Sequence, residues 1–348
     1  MGASSRLRSF QYIPYLEAQG FDITIESLFD DQHLSDIYKK KKRSKKRSAK
    51  LYINRLFKLF HSRKYDLLWI EKEIFPYIPA FAERLLSRLK IPYVVDYDDA
   101  IFHNYDLSGN PLIRKVLSNN IKTIMRLSNH VIAGNDYLSD YAKAAGARNI
   151  TIIPSVVDQT RYKAKSGSNS SQLVIGWIGT PFTQKYVVGI KTALKAVCDK
   201  FGARLMLVGA NPRITEELSG LDIEMIPWTE EQEAELINRM DIGIMPLADE
   251  PWERGKCGYK LIQYMACSVP VITSPVGVNV QIVHGSQSGF LASTIAEWEM
   301  SLAELLASAE KRYQLGRAGR LAVERQYSIQ IQAPKLAHVF QEAVHDGA

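Results

Sequence analysis

The chain has 348 residues and only three cysteines, Cys198, Cys257 and Cys267. Three irregularly spaced thiols exclude a disulfide framework and a cysteine-rich zinc site, and a reducing cytoplasm is the expected compartment. Long apolar runs are also missing, so no segment is expected to span a bilayer, which takes roughly 20 apolar residues. The opening Met1-Gly2-Ala3-Ser4-Ser5-Arg6 turns polar at once. It fits no secretory leader, and Arg6 stands where the myristoylation pattern needs Ser or Thr. Neither the full G-x-G-x-x-G fingerprint nor the P-loop G-x-x-x-x-G-K-[ST] occurs. No aromatic-interleaved RNA motif, zinc finger or helix-turn-helix pattern occurs either, so nucleic acid is not an expected partner.

Acidic residues are outnumbered, 37 to 44, which gives a net charge of +7 and a pI near 9.1. Much of the excess sits in the run Lys39–Lys50. There it forms either a solvated segment or an attraction to an anionic membrane surface, where each basic residue contributes about 1 kcal/mol. The next stretch, Leu51 to Phe60, places apolar residues at helical spacing with basic ones between. That suits a helix lying on a membrane and suits core packing equally well.

Short β-branched runs alternate with amphipathic segments throughout, which argues for parallel sheets with helices on both faces. In the first half the expected strands are Phe21–Ser27, Asp66–Ile70, Tyr93–Asp96, Val131–Ala133 and Ile150–Ile153. Helices are expected over Leu7–Gln19 (closed by Gly20), Ala80–Lys90, Leu112–Leu127 and Tyr137–Ala145. In the second half the expected strands are Leu173–Ile178, Arg204–Val208, Ile223–Ile226, Ile242–Met245 and Val269–Thr273, with a final helix over Ile329–Val344. The stretch Lys163–Ser171 reads as a linker. Two doubly wound domains follow: 1–165, 172–326, and a terminal helical segment 327–348. The first begins with a helix capped near Ser4-Ser5, where such a domain ordinarily begins with a central strand. That first strand is expected to be missing, which would leave its neighbours with unpaired edges.

Open parallel sheets bind ligands beyond the carboxyl ends of their strands. At that edge of the second domain, Ile242–Met245 leads into a polar loop and then into Gly255-Lys256-Cys257-Gly258, which opens a helix. A helix N-terminus carries about half a positive charge and several unpaired N–H groups. With Lys256 and Lys260 beside it, the assembly suits a phosphate or diphosphate. The turn Gly176-Trp177-Ile178-Gly179-Thr180 belongs to the same edge and leads to Lys185. Trp228, after another strand, is a candidate wall for a nucleotide base or, equally, a core aromatic.

These residues match a known family. "GKCGYKLIQYMACSVPVITSPVGVN" resembles the nucleotide-sugar loop of the family-4 retaining glycosyltransferases, which have the GT-B fold, in the branch with the motif K-C-G-Y-K-L-x-Q-Y-M-A-C. "SSRLRSFQYIPYLEAQGFDIT", "WIEKEIFPYIP", "VVDYDDAIFH", "AGNDYLSDYA", "IIPSVVD", "GWIGTPFTQKY" and "DIGIMPL" are similar to segments of that branch in the same order, so the likeness covers nearly the whole chain. It implies two Rossmann-like domains, a C-terminal helix returning to the first, and a nucleoside-diphosphate sugar held mainly by the second. Lys185 matches the lysine on the diphosphate. Gly258, Tyr259 and Lys260 match the loop at the phosphates. Gln263 falls where the second glutamate of the family's E-x7-E motif holds the ribose, and Gly255 where the first stands. Both glutamates are therefore absent, and Glu250 and Glu253 are the candidates to replace the lost charge. The arginine that commonly precedes the diphosphate lysine is absent too, with Arg254 and Lys256 as candidates to compensate. Ser268 replaces the branch's usual glycine.

The resemblance implies transfer with retention, no metal or other cofactor, and a glycan or lipid-linked acceptor. The implied place is cell-surface polysaccharide assembly, in the cytoplasm or on the inner face of the plasma membrane. A non-catalytic nucleotide-sugar-binding protein is the alternative. Lys185 and Lys256 would stabilise the departing diphosphate, and Gly179, Thr180 and Trp228 would line the donor site. Glu73, Asp98, Asp99 and Asn135, each just after a strand of the first domain, are the acceptor-side candidates. His103 reads as a loop residue rather than a base.

Overall fold

A computed structural model describes residues 3–29, 45–164 and 172–345. It divides into two compact units: Met1–Pro154 with Ala333–Ala348, and Ser155–Gln332. The first boundary falls before the expected linker because residues 155–162 pack into the second unit. Val157 bridges to Ser328, and Tyr162 is buried in the core formed by Met206, Ile237 and Leu261. Residues 165–171 of the expected linker, and 39–44 of the basic run, lie outside the described residues.

The first unit holds a four-stranded parallel sheet in the order β1-β2-β3-β4: Leu68–Glu71, Tyr93–Tyr97, His130–Ala133 and Ile150–Ile152. Its central strands β2 and β3 are buried at every position. Strands covered on both faces read as continuous apolar runs, which is why the sequence locates them. The one acid in β2, Asp96, is 2 % exposed and is held by the equally buried Arg8. Nε and NH2 of Arg8 both lie 2.8 Å from Asp96 Oδ1, and NH1 donates to the Ile153 carbonyl at 2.7 Å.

Phe21–Ser27 is not a strand. Side chains of the helix Lys45–Leu59 occupy Glu26 instead: Arg55 donates to its carbonyl and Lys58 pairs with its carboxylate. The expected helix Leu7–Gln19 is broken into Ala3–Arg8, a 3-10 turn Phe10–Tyr12, and Ile13–Ala18. Pro14 lies in the first turn of the last piece, where its missing N–H costs least. Leu112–Leu127 is likewise two helices, Pro111–Leu117 and Asn120–Leu127.

The second unit holds a six-stranded parallel sheet in the order β10-β9-β8-β5-β6-β7. The strands are β5 Val174–Ile178, β6 Arg204–Val208, β7 Ile223–Ile226, β8 Ile242–Met245, β9 Val271–Thr273 and β10 Gly289–Leu291. The three-residue β10 is too short to show a period in the sequence. The first strand of the unit, β5, has β6 on one side and β8 on the other. Successive connections therefore leave in opposite directions from the β5/β8 pair. Doubly wound sheets bind nucleotides in the crevice at the carboxyl ends beside such a switch point.

Candidate functional site

Two loops flank that crevice. After β5, Gly179 donates its N–H to Val208 at 3.0 Å, and exposed Thr180 leads toward the short helix Lys185–Gly189. After β8 the chain passes through the short helix Pro251–Arg254 and enters the helix Tyr259–Ala266. Gly258 caps that helix with φ +65, a conformation glycine adopts at little cost. A side chain there would also press on Ile282, within 2.5 Å of its Cδ1. The glycine is thus dictated by the backbone and by packing, whether or not a ligand approaches.

The expected positive groups of this unit sit in different surroundings. Lys185 is exposed, with its ammonium 4.9 Å from the centroid of the Tyr186 ring. Lys260 lies 5.9 Å over the Trp177 ring, and Lys256 is half-buried at the entry to the helix. Tyr259 hydrogen-bonds through its side chain to Tyr162, which leaves the helix backbone as its group for an anion. Gln263 is 3 % exposed, and its Nε2 has no hydrogen-bond partner among the described residues. A buried amide donor left unpaired costs about 1–3 kcal/mol.

Trp228 follows β7. Its indole N–H donates to Glu233 at 2.8 Å, and Glu233 also accepts from the Tyr162 hydroxyl at 2.5 Å. The N–H is spent, yet 40 % of the residue is exposed, so what Trp228 offers a base is its ring face. It stands beside Gly209 and Gly179: a Cβ on Gly209 would meet the Gly179 carbonyl at 2.4 Å and the Trp228 Cβ at 3.1 Å.

One residue in this region is strained. Ser268 holds φ +58, where an L side chain costs about 1–2 kcal/mol. Glycine would meet this backbone demand at less cost than serine does.

In the first unit the acceptor-side candidates fall into separate networks. Asp98 pairs with Lys72 at 3.1 Å, and Lys72 also donates to Ser4 at 2.9 Å. Asp98 and Asp99 hold the Lys72 ammonium in its charged form against the cost of its burial, and Lys72 in turn holds the Asp98 carboxyl below its ordinary value. Asn135 is 2 % exposed and accepts the Leu138 N–H at 3.0 Å. It is the N-cap of the helix Asp136–Ala145 rather than a group presented to an acceptor. His103 lies in a short helix and uses both ring nitrogens, Nδ1 with Asp106 and Nε2 with the Tyr137 hydroxyl, each at 2.9 Å. Both nitrogens are thus engaged within the unit.

Glu73 accepts from the Tyr105 hydroxyl at 2.5 Å and from Asn120 at 3.3 Å. Burial outweighs these bonds, Glu83 adds repulsion, and the carboxyl is pushed up to about 7. A carboxyl raised in the fold contributes its full stability below the ordinary range near 4.5 and loses it as pH rises through 7. The expected result is that the wild type loses about 3 kcal/mol relative to Glu73→Gln between pH 4.5 and pH 8. Urea unfolding of both proteins at the two pH values checks it, and a constant difference would mean that the Glu73 carboxyl is not raised in the fold.

Comparison with known proteins agrees with this geometry. Residues 172–308 match the family described as glycosyl transferases group 1. A D-inositol 3-phosphate glycosyltransferase from Segniliparus rotundus is 26% identical over 228 residues, which cover 59% of this chain and 49% of that protein. The chain thus spans about half the length of that relative. WaaG, a glycosyltransferase involved in lipopolysaccharide biosynthesis, superposes with a TM-score of 0.69 at 13% identity, covering 98% of this chain and 96% of WaaG. Anabaena HepE, in complex with UDP and glucose, superposes with a TM-score of 0.64 at 16% identity, covering 84% and 81%. The fold is GT-B. The expected fold class therefore stands.

Tyr186 and the place of Glu253 were not legible in the sequence. Glu253 is 6 % exposed and accepts a short hydrogen bond from the Tyr186 hydroxyl. The run Pro251-Trp252-Glu253-Arg254 reads as polar loop, and nothing in it signals that one acid turns inward.

Proposed function

We propose that the chain is a glycosyltransferase that moves a sugar from a nucleoside-diphosphate sugar to a glycan or lipid-linked acceptor, with retention at the anomeric carbon. The observation that carries this reading is the crevice at β5/β8. A helix N-terminus, Lys185, Lys256 and Lys260 belong to the segments that follow those two strands, and the unpaired Gln263 amide lies one turn into the same helix. The match over residues 172–308 and the UDP and glucose bound by HepE support the same donor class.

Glycosyl transfer passes through an oxocarbenium-like transition state while negative charge grows on the departing diphosphate. Lys185, Lys256 and the helix N-terminus at Gly258 oppose that charge, and the leaving phosphate receives the acceptor's proton. Nothing in this scheme calls for a metal, so the proposal includes activity in the presence of a chelator. A thermal-shift screen against UDP, GDP, ADP and CMP and their sugar conjugates tests the donor site. Stabilisation by one nucleotide supports it, and no shift in a cooperatively melting protein overturns it. The absence of both motif glutamates, with Gly255 and Gln263 in their places, favours a second reading: a protein that binds the donor without turning it over. Saturable binding with no sugar transfer and no donor hydrolysis would establish that reading.

The cellular place proposed is the inner face of the plasma membrane, in polysaccharide assembly, where WaaG's role in lipopolysaccharide biosynthesis offers a parallel. No described helix is long and apolar enough to cross a membrane. The helix Lys45–Leu59 supports attachment to the surface. One face docks through Tyr52, whose hydroxyl donates to the Pro76 carbonyl at 2.9 Å. Ile53, Leu56, Phe57 and Phe60 line the other at helical spacing and are 38–70 % exposed. Lys46, Arg47 and Lys50 adjoin this stripe. On vesicles containing phosphatidylglycerol, Phe57→Ser with Phe60→Ser is expected to lower partitioning at least tenfold, roughly the worth of partly burying two phenyl rings. Sedimentation that is unchanged by the double substitution, or equal on neutral vesicles, would remove the membrane from the proposal.

A further inference from the structure

A carboxylate buried beside the donor crevice has only one of its two oxygens satisfied. Glu253 Oε1 accepts from the Tyr186 hydroxyl. Its Oε2 is buried and has no hydrogen-bond partner among the described residues. Such an oxygen costs more than a neutral one to leave unpaired. The arrangement is also fixed. Glu253 belongs to the loop after β8, and Tyr186 to the helix after β5, next to Lys185. Their hydrogen bond therefore joins the two loops that flank the switch point. Burial, with the acid beside it, holds the Tyr186 phenol protonated as a donor. The Glu253 loop is itself pinned from below: Gly277, at φ +55, packs so closely that a Cβ there would lie 2.5 Å from the Arg254 carbonyl.

The chemistry of the unpaired atom selects its partner. A carboxylate oxygen accepts hydrogen bonds, and a diphosphate at neutral pH has none to donate. Glu253 therefore turns to the hydroxyl-bearing part of the ligand, while the Gln263 amide, a donor, can serve any oxygen. We propose that Glu253 is the carboxylate that receives hydroxyl hydrogens of the donor, two positions ahead of Gly255, where the family places its first glutamate. Tyr186 is the positioning residue that aims it. This inference rests on the nucleotide-sugar reading of the crevice. Of the two acids considered for this role, exposed Glu250 is thereby set aside.

The test is calorimetric titration of the wild type, Glu253→Gln, Glu250→Gln and Tyr186→Phe with UDP and UDP-glucose, and with GDP and GDP-mannose. For the pair that the wild type binds, Glu253→Gln is expected to weaken the sugar nucleotide about tenfold, the difference between a charged and a neutral hydrogen bond. Glu250→Gln is expected to change it by less than about twofold. If Glu253→Gln weakens the bare diphosphate equally, the hydroxyls are those of the ribose. If only the sugar conjugate suffers, they belong to the transferred sugar. Either result supports the assignment. Wild-type binding with unchanged affinity in Glu253→Gln overturns it and leaves the donor site standing. No binding by the wild type overturns the underlying reading as well. Should Glu253→Gln fail to fold, Tyr186→Phe decides. It keeps the charge but releases its aim, and a loss of less than about twofold there would count against the proposal.

Discussion

Arg8→Ala is expected to destabilise the amino-terminal unit by about 3–5 kcal/mol, the cost of stranding one member of a buried ion pair. Both partners are 2 % exposed. The substitution leaves the Asp96 carboxylate inside a strand buried at every position, and leaves the Ile153 carbonyl without its donor. The magnitude has a pH signature. With Arg8 present, burial still pushes the Asp96 carboxyl up to about 6. Without Arg8 it rises further, so the cost of burying this carboxyl grows with pH faster in the mutant than in the wild type. The mutant's deficit should accordingly shrink as pH falls. Pairing Arg8→Met with Asp96→Leu should recover most of the loss, since an apolar pair removes both desolvation costs together. Amide hydrogen exchange in residues 93–97 and 130–133 reads the first unit separately from the second. A change below about 1 kcal/mol in Arg8→Ala would mean that water reaches the pair.

That contact also marks how far the sequence reaches. Parallel strands buried on both faces announce themselves as apolar runs, so β2, β3, β6 and β8 are legible to within a residue or so. Phe21–Ser27 has the same composition, but the groups that hold Glu26 come from a helix more than 25 residues later. Composition cannot report that. Arg8 and Asp96 are 88 residues apart, and a lone arginine near a chain start reads as solvated. Asn135 looked functional because caps and ligand contacts draw on the same short polar residues at the same strand ends. The helix start at Gly258 was legible because its parts are local: a glycine, lysines and an apolar run within a few residues. What stayed hidden there was the acid. Glu253 faces inward only because Tyr186, 67 residues earlier, waits across the crevice.

The same tie gives Lys185 its expected weight. Its side chain is exposed, yet its ammonium rests 4.9 Å from the centroid of a ring whose hydroxyl is anchored by Glu253. The cation is thus placed over a fixed platform beside the β5/β8 switch point, where the proposed reaction builds charge on a departing diphosphate. A group aimed at charge that appears only in the transition state acts on kcat more than on KM. Lys185→Ala is expected to lower kcat by about 10²–10³, the usual worth of one preorganised group facing developing charge. The donor KM should move far less. Lys185→Arg should recover only part of the rate, because a guanidinium spreads its charge over a plane where the ammonium concentrates it at a point. Lys191→Ala is the control: that lysine bonds Ser219 at 3.4 Å on the helix Lys191–Phe201, and its loss should leave kcat unchanged. Steady-state transfer assays across these variants separate the outcomes. A Lys185→Ala enzyme that keeps its kcat within about threefold would move the burden of the leaving group to Lys256 and the helix N-terminus at Gly258.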